Sequence, residues 1–111
     1  MTRKFRKTID TEKNMLRNLA SSVFIYEKVV TTESKAKKVK GIVERLITRA
    51  KKGTLADHRH IFAYLPQQEA AKKLIENVVK RYTDRNGGYT RVIKIGNRKG
   101  DAAPQAEISL V

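Results

Sequence analysis

The C-terminal stretch GGYTRVIKIGNRKGDAAPQAEISLV (residues 87–111) decides the fold class. Residues 89–95 (YTRVIKI) are rich in β-branched and aromatic side chains, which favour strands. Residues 106–111 (AEISLV) alternate apolar and polar side chains, a pattern typical of a half-buried strand. The turn-rich residues 96–105 join these two segments and carry Arg98 and Lys99. The stretch therefore predicts a basic β-hairpin.

The glycines of this stretch raise the alternative of a phosphate-binding loop. They fall at positions 87, 88, 96 and 100, which does not fit the G-x-G-x-x-G pattern of dinucleotide-binding folds. The spacing from Gly96 to Gly100 is one residue short of the G-x-x-x-x-G-K-[ST] phosphate loop, and Asp101 follows it. We therefore expect no nucleotide pocket and no cofactor.

Upstream of the hairpin, apolar residues recur mostly at helical spacing. One helix is predicted from Asp10, with Leu16, Leu19 and Val23 on its inner side. Residues 26–31 (YEKVVT) predict a short strand. A long second helix is predicted from Thr32 to about Lys52, where Gly53 ends it. Its predicted apolar stripe is Ala36, Val39, Val43, Leu46 and Ala50.

Two further helices are predicted before the hairpin. Thr54 and Asp57 form a capping-box pattern that starts the third helix, and Pro66 stops it. Its predicted inner residues are Leu55, Ile61, Phe62 and Leu65. The fourth helix ends near residues 86–88 (NGG), and its predicted inner residues are Ala71, Leu74, Ile75, Val78, Val79 and Tyr82.

Charge is the strongest compositional signal. The 111 residues include 25 Lys and Arg against 11 Asp and Glu, a formal net charge of +14. A field of that size attracts polyanions, and nucleic acid is the commonest polyanion. The outer face of the second helix has only Glu33 and Glu44 as acids, so we predict that it faces nucleic acid. Its basic residues are Lys35, Lys37, Lys38, Lys40, Arg45, Arg49, Lys51 and Lys52.

The length fits one domain with one core. Residues 1–9 (MTRKFRKTI) contain Arg3, Lys4, Arg6 and Lys7 and no acid. We predict that they form a basic N-terminal arm, disordered until a partner neutralises it. Residues 10–111 are predicted to form a single globular domain that ends in the hairpin.

Signals for catalysis and metal binding are missing from the sequence. The chain has no cysteine, which removes disulfides, thiolate metal sites and cysteine nucleophiles. On a helix His58 and His60 point about 200° apart, so they cannot share a metal ion there. The acids are scattered, and no nucleophile elbow surrounds a serine. We expect no enzyme, no metal site and no small-molecule substrate.

Four blocks together resemble one protein family. The stretch at residues 87–111 resembles the C-terminal signature of bacterial ribosomal protein seventeen of the large (50S) subunit. The blocks MLRNLASS (15–22), VVTTESKAK (29–37) and ERLIT (44–48) resemble that family's other blocks, in the same order. The match covers nearly the whole chain, so it is more specific than any single motif.

The resemblance implies a fold and a function. The implied fold is α+β, with about four helices packed on a small mixed three-stranded sheet made by the strand near Val29 and the hairpin. The implied function is that of a structural constituent of the ribosome that supports translation. It would bind large-subunit ribosomal RNA near the rim of the nascent-chain exit tunnel, beside neighbouring large-subunit proteins.

The expected RNA-binding residues combine this resemblance with the charge pattern. Arg91 and Arg98 suit bidentate contacts to phosphate oxygens, whereas Tyr89 either stacks on a base or packs against the fourth helix. Gly100 is carried over by the resemblance as well. The full predicted set is Arg3, Lys4, Arg6, Lys7, Arg17, Lys35, Lys37, Lys38, Arg45, Tyr89, Thr90, Arg91, Lys94, Arg98 and Lys99.

The chain departs from the family pattern near its start. Thr11, Glu12 and Asn14 stand where the family usually has a His-Arg pair and an alanine. The carboxylate of Glu12 would repel phosphate, which argues against an RNA contact at residues 11–12.

Two alternative functions share the charge argument. A DNA-binding nucleoid-type protein would be expected to show a recognition helix or a symmetric dimer, and neither is clear from the sequence. A membrane-surface protein would need free apolar residues opposite its basic face, and the sequence has neither a spanning segment nor a secretory signal. We expect a cytoplasmic location on bacterial ribosomes rather than organelle ribosomes, since no Arg- and Ser-rich transit leader is present.

Overall fold

A computed structural model describes the backbone of residues 2–111 and the side chains of residues 11–111. In chain order the elements are α1 (Thr2–Tyr26), β1 (Lys28–Thr32), α2 (Glu33–Lys52), α3 (Leu55–Tyr64), α4 (Gln68–Lys73), α5 (Val79–Arg81), β2 (Thr90–Asn97) and β3 (Pro104–Leu110). A π-helical segment (Leu74–Val78) joins α4 to α5 without a break, and we call this continuous helix the α4–α5 rod. The predicted α+β class, with about four helices and three strands, is confirmed.

The three strands form one sheet in the order β1-β3-β2. Val29 lies opposite Ile108, and Ile108 lies opposite Val92. Directly opposed residues share a face of the sheet, so this apolar row points to one side. Ile108 and Ala106 of the central strand are almost fully buried. The helices cover this inner face, as the alternation in residues 106–111 predicted.

Both strand pairings are antiparallel, which corrects the expectation of a mixed sheet. A short hairpin loop makes β2 and β3 antiparallel. The direction of β1 follows from where it starts, because the backbone N–H of Leu110 donates to the carbonyl of Glu27 at 2.9 Å. The chain thus enters β1 where β3 ends, and the two strands run in opposite directions.

Helix α2 matches its predicted bounds. The side chains of the predicted stripe Ala36, Val39, Val43, Leu46 and Ala50 are buried, together with Ile47. Gly53 ends the helix at φ 69°, in the left-handed region that favours glycine. Thr32 holds the N-cap position with extended backbone, but its side chain makes no capping hydrogen bond.

Helix α3 buries only part of the predicted inner face. Leu55 and Phe62 are 68% and 42% exposed, so their predicted inward positions are wrong. Ile61 and Leu65 are buried as predicted, and Asp57 is buried with them. These three residues are four apart and therefore lie close to one side of a helix. The Thr54 side chain accepts from the Asp57 backbone N–H, as the capping box predicted.

The α4–α5 rod keeps four residues at constant spacing in the core: Ala70, Leu74, Val78 and Tyr82 are all buried. In an ideal α-helix a strict spacing of four drifts by about 40° per step. The π-helical turn, with its wider i→i+5 hydrogen bonding, offsets this drift. The Tyr82 hydroxyl then donates to the carbonyl of Val111 at 2.8 Å, which ties the rod to the end of the sheet.

The distal half of the hairpin projects from the core. Residues 93–97 are all exposed. Lys94 lies opposite Ala106 and Gly96 lies opposite Gln105, so Ile95 is an extra residue in β2. Such a bulge bends a strand, and Gly96 has φ 129° beside it. The loop is residues 98–103, shorter than the predicted ten residues.

Helix α1 begins at Thr2 rather than at the predicted Asp10, so the backbone of residues 2–9 belongs to this helix. The side chains of Arg3, Lys4, Arg6 and Lys7 lie outside those that the structure describes. The division into an arm (1–9) and one globular domain (10–111) stays a prediction.

Candidate nucleic-acid interface

Helix α2 and the hairpin meet through a shared carboxylate. Oε1 of Glu33 lies 3.2 Å from Nζ of Lys37 and 3.7 Å from Nζ of Lys94 on β2. The hydrogen bond from Lys37 lowers the pKa of Glu33, so this carboxylate stays charged. The contact makes the cations of the two elements neighbours. We call the cations of α2 and the hairpin that are both exposed and in the predicted RNA-binding set the basic surface: Lys37, Lys38, Arg45, Arg91, Lys94, Arg98 and Lys99.

The α4–α5 rod has a different outer side. Glu69 and Glu76 line a shallow depression there together with Lys72, Lys73 and Lys80. Mixed signs of this kind support a solvated helix. On the basic surface the cations outnumber the carboxylates that pair with them, Glu12, Glu33 and Asp101, by more than two to one. This excess marks it as the side that attracts a polyanion.

The hairpin loop holds its arginine in a closed arrangement. Nε of Arg98 donates to Oδ1 of Asp101 at 3.0 Å, and its Nη2 donates to the other carboxylate oxygen. Asp101 also accepts from the backbone N–H of Ala103. The bond from Arg98, followed by that from Ala103, lowers the pKa of Asp101 to about 2. Because this folded-state pKa lies below the ordinary value of 3.8, the contribution to stability is present above pH 3.8 and is lost as pH falls toward 2.

Four of the predicted residues with described side chains are not fully exposed, and Arg17, which is half-buried, is one of them. Tyr89 and Thr90 are 2% and 6% exposed, and Lys35 is half-buried on α2. The Tyr89 ring packs against Tyr82 with centroids 5.0 Å apart, and its hydroxyl donates to the carbonyl of Arg85. The structure therefore shows the packing alternative for Tyr89 and leaves no ring face open for a base.

The half-buried side chain of Arg17 forms hydrogen bonds within the protein. Its Nε donates to the carbonyl of Tyr64 at 2.6 Å, and its Nη2 donates to the carbonyl of Ala63 at 2.8 Å. These are last-turn carbonyls of α3, which have no partner within their own helix. Arg17 of α1 thus caps α3. Two donor groups of this one guanidinium are needed to reach both carbonyl oxygens.

We predict that Arg17→Lys lowers the free energy of unfolding by roughly 1–2 kcal/mol, because an ammonium cannot hold both carbonyls in fork geometry. Urea unfolding would measure the change. The net charge is preserved, so affinity for a fully paired RNA at fixed salt should change little. Arg59→Lys is the matched control, since Arg59 is exposed and forms no ion pair or hydrogen bond within residues 11–111. If Arg17→Lys were as stable as the unchanged protein but bound paired RNA much more weakly, the capping role of Arg17 would be contradicted.

Sequence reasoning missed a groove between α1, α2 and α3. Two adjoining cavities share Ile42, His60 and Tyr64 as lining residues. Lys13 and Asn14 lie in the larger cavity, and Arg49 lies in the smaller one. The i,i+4 spacing of His60 and Tyr64 was the available signal, but which neighbours would flank them depends on helix packing.

The described part of the chain holds neither a cluster of metal-ligating side chains nor a membrane-spanning helix. No group of three or more His, Cys, Asp or Glu side chains there is placed to hold a metal ion. None of the described helices combines the length and the apolar character needed to span a bilayer.

Comparison with known proteins gives one consistent answer. The family model described as ribosomal protein L17 matches residues 15–111. The large ribosomal subunit protein bL17 of Desulforudis audaxviator is 49% identical over 102 residues, covering 92% of this chain and 91% of that protein. The protein of the same name from Caldanaerobacter subterraneus is 45% identical over 109 residues, covering 98% of this chain and 97% of that protein.

Some of the relatives are clearly longer than this chain. The bL17 protein of Chloroherpeton thalassium is 50% identical over 111 residues, and the alignment covers all of this chain but 66% of that protein. The similarity thus spans the full α+β fold described above, including the hairpin and the basic surface.

Proposed function

Because the chain belongs to the ribosomal protein L17 family, we propose that its basic surface binds large-subunit ribosomal RNA near the rim of the nascent-chain exit tunnel. Membership of this family makes the chain a non-enzymatic, structural constituent of the large ribosomal subunit. The finer questions are which side of the molecule meets the RNA, and where on the subunit it lies.

The observation that carries the proposal is the uneven charge of the surface. The cations of α2 adjoin those of the hairpin through Glu33, whereas the outer side of the α4–α5 rod mixes signs. Structured RNA is recognised largely through shape, phosphates and 2′-hydroxyls. Long cationic side chains on α2 and on an exposed hairpin suit that kind of target.

Several of these cations have partners in the free protein. Lys38 pairs with Glu12 at 2.5 Å, Lys94 with Glu33 and Arg98 with Asp101. Exposed ion pairs are worth little, typically ~0–1 kcal/mol. We infer that these cations exchange a carboxylate for phosphate when RNA binds. Lys38 neutralises Glu12, so the acid that departs from the family pattern does not stand alone.

The remaining assignments extend the same proposal. The exit-rim location and contacts with neighbouring large-subunit proteins are supported by the family resemblance of the four sequence blocks. The bacterial sources of the relatives support a place on ribosomes in the bacterial cytoplasm. The basic residues of the arm, Arg3, Lys4, Arg6 and Lys7, are proposed to add RNA contacts through their charge.

Fractionation tests the proposal directly. A tagged protein expressed in a bacterium is expected to co-sediment with large subunits in a sucrose gradient at moderate salt. Cross-linking within those subunits should then join the protein to proteins of the exit rim. A protein that stays at the top of the gradient, or that follows genomic DNA, would contradict the proposal and favour a nucleoid function.

A further inference from the structure

The groove between α1, α2 and α3 is a surface recess that adjoins Arg45 of the basic surface. Its larger cavity, about 740 Å³, is lined by residues of all three helices, including Lys13, Ile42 and Tyr64. The smaller cavity, about 320 Å³, continues along α2 past Arg45 and Arg49. Volumes of this size are typical of sites for small ligands, so the recess has room for one nucleotide unit.

One wall of the groove is aromatic. The rings of His60 and Tyr64 are parallel to within 4°, with centroids 6.4 Å apart. The guanidinium carbon of Arg17 lies over the Tyr64 ring, 5.4 Å from its centroid. The carbonyls of Ala63 and Tyr64 hold that guanidinium in place. Flat side chains in this arrangement form a stacking surface for a nucleobase.

The charged side chains that line the groove are all basic. Its lining residues include Lys13, Arg17, Arg45 and Arg49, and no acidic side chain of residues 11–111 lines either cavity. Among the groove cations, Arg49 forms an ion pair with an acid outside the lining, Asp57, at 3.4 Å. Phosphate groups would therefore meet attraction at both ends of the recess.

Asn14 adds a neutral polar group at the mouth of the larger cavity. A carboxamide can donate and accept at once, which matches the edge of a base. A purely electrostatic phosphate site would have no use for that group or for the aromatic wall. The combination distinguishes the groove from the rest of the basic surface.

We propose that this groove receives an unpaired nucleotide of structured RNA, with the base stacked on the His60–Tyr64 wall and the adjoining phosphates beside Lys13 and Arg45. The inference rests on the proposed RNA-binding function and adds a single-nucleotide site to it. Unpaired bases in loops and bulges are the ones that proteins read in RNA. The remaining basic surface contacts the flanking helices.

The test uses two RNA hairpins that differ by one nucleotide. The first carries a single 2-aminopurine bulge, and the second is fully paired. The full-length protein is expected to bind the bulged hairpin at least ~5-fold more tightly, the lower end of one base–aromatic stacking contact. Fluorescence of the 2-aminopurine should be quenched when the base stacks in the groove.

His60→Ala is expected to abolish the preference and leave binding of the paired hairpin unchanged. His58→Ala is the matched control: it removes the same side chain from the same helix about 200° away, outside the lining of the groove. His60→Phe keeps a flat ring and should restore the preference. Because His60 is exposed, none of these variants removes a core residue.

The outcomes separate this inference from the proposed function. Equal binding of both hairpins, or a preference that survives His60→Ala, would overturn the groove site while RNA binding stands. Failure to bind either hairpin would overturn the proposed function and the groove site with it. In assembled large subunits, a UV cross-link to RNA is expected in the tryptic peptide of residues 60–72, which carries His60 and Tyr64. The absence of that cross-link would also count against the site.

Discussion

RNA affinity of this protein is expected to fall by about 10³- to 10⁵-fold between roughly 50 and 200 mM salt, as for six to ten phosphate contacts. Each phosphate that a lysine or arginine neutralises releases condensed counterions, so the observed affinity depends steeply on salt. The net charge of +14 and the basic surface provide enough cations for that number of contacts. Filter binding or fluorescence anisotropy across a salt series, with a structured large-subunit RNA fragment, would give the slope.

Variants that each remove one lysine charge would show which surface contacts the RNA phosphates. Lys99 is exposed on the hairpin loop, and Lys80 lies beside Glu76 on the mixed-sign side of the α4–α5 rod. Lys99→Gln should reduce the slope of log affinity against log salt by roughly 0.7–0.9, the loss of one phosphate contact. Lys80→Gln makes the same chemical change and should leave the slope nearly unaltered. A flat salt dependence, or equal effects of both variants, would refute the assignment of the basic surface.

The second large effect concerns the core. Phe24 of α1 is fully buried, and its ring belongs to the cluster that joins α1 to the other helices and the sheet. Phe24→Ala removes this ring and leaves a cavity, which should lower the free energy of unfolding by about 3–5 kcal/mol. That loss is a large fraction of the ~5–15 kcal/mol that stabilises a typical domain. Urea unfolding followed by circular dichroism would measure it.

Phe62→Ala is the matched control, because the same side chain on α3 is 42% exposed. Its cost should stay below about 1 kcal/mol, as for most changes near the surface. Similar losses from the two variants would mean that α3 packs through the face predicted from sequence, with Phe62 inward. A large difference would confirm the observed packing.

The best sequence predictions concern elements that local interactions determine. Helix α2 was predicted closely because a buried stripe, an N-cap position and a left-handed Gly53 all lie within its own segment. The hairpin was predicted because alternation in residues 106–111 and the β-rich residues 89–95 are local signals too. The inner face of α3 was predicted only in part: Ile61 and Leu65 are buried, but Leu55 and Phe62 are apolar residues that lie exposed. The contact of Asp57 with Arg49 on α2 joins residues of two elements, so sequence could not show it.

The candidate site was predictable in its charge and not in its geometry. The sequence located Lys37, Lys38, Arg45 and the hairpin cations as an RNA-binding set. It could not show that Arg17 caps α3 or that Tyr89 is buried against Tyr82, because both contacts join residues on different elements. It also gave no sign of the groove, whose lining comes from three helices.

By itself, then, the sequence determined the composition of the interface, the helix and strand segments and the family, since charge, periodicity and short motifs are properties of neighbouring residues. Tertiary structure alone decided the antiparallel direction of β1, the inward face of α3 and the position of His60 and Tyr64 opposite Arg45. Those features depend on contacts between residues far apart in the chain, and such contacts form only when the helices pack on the sheet.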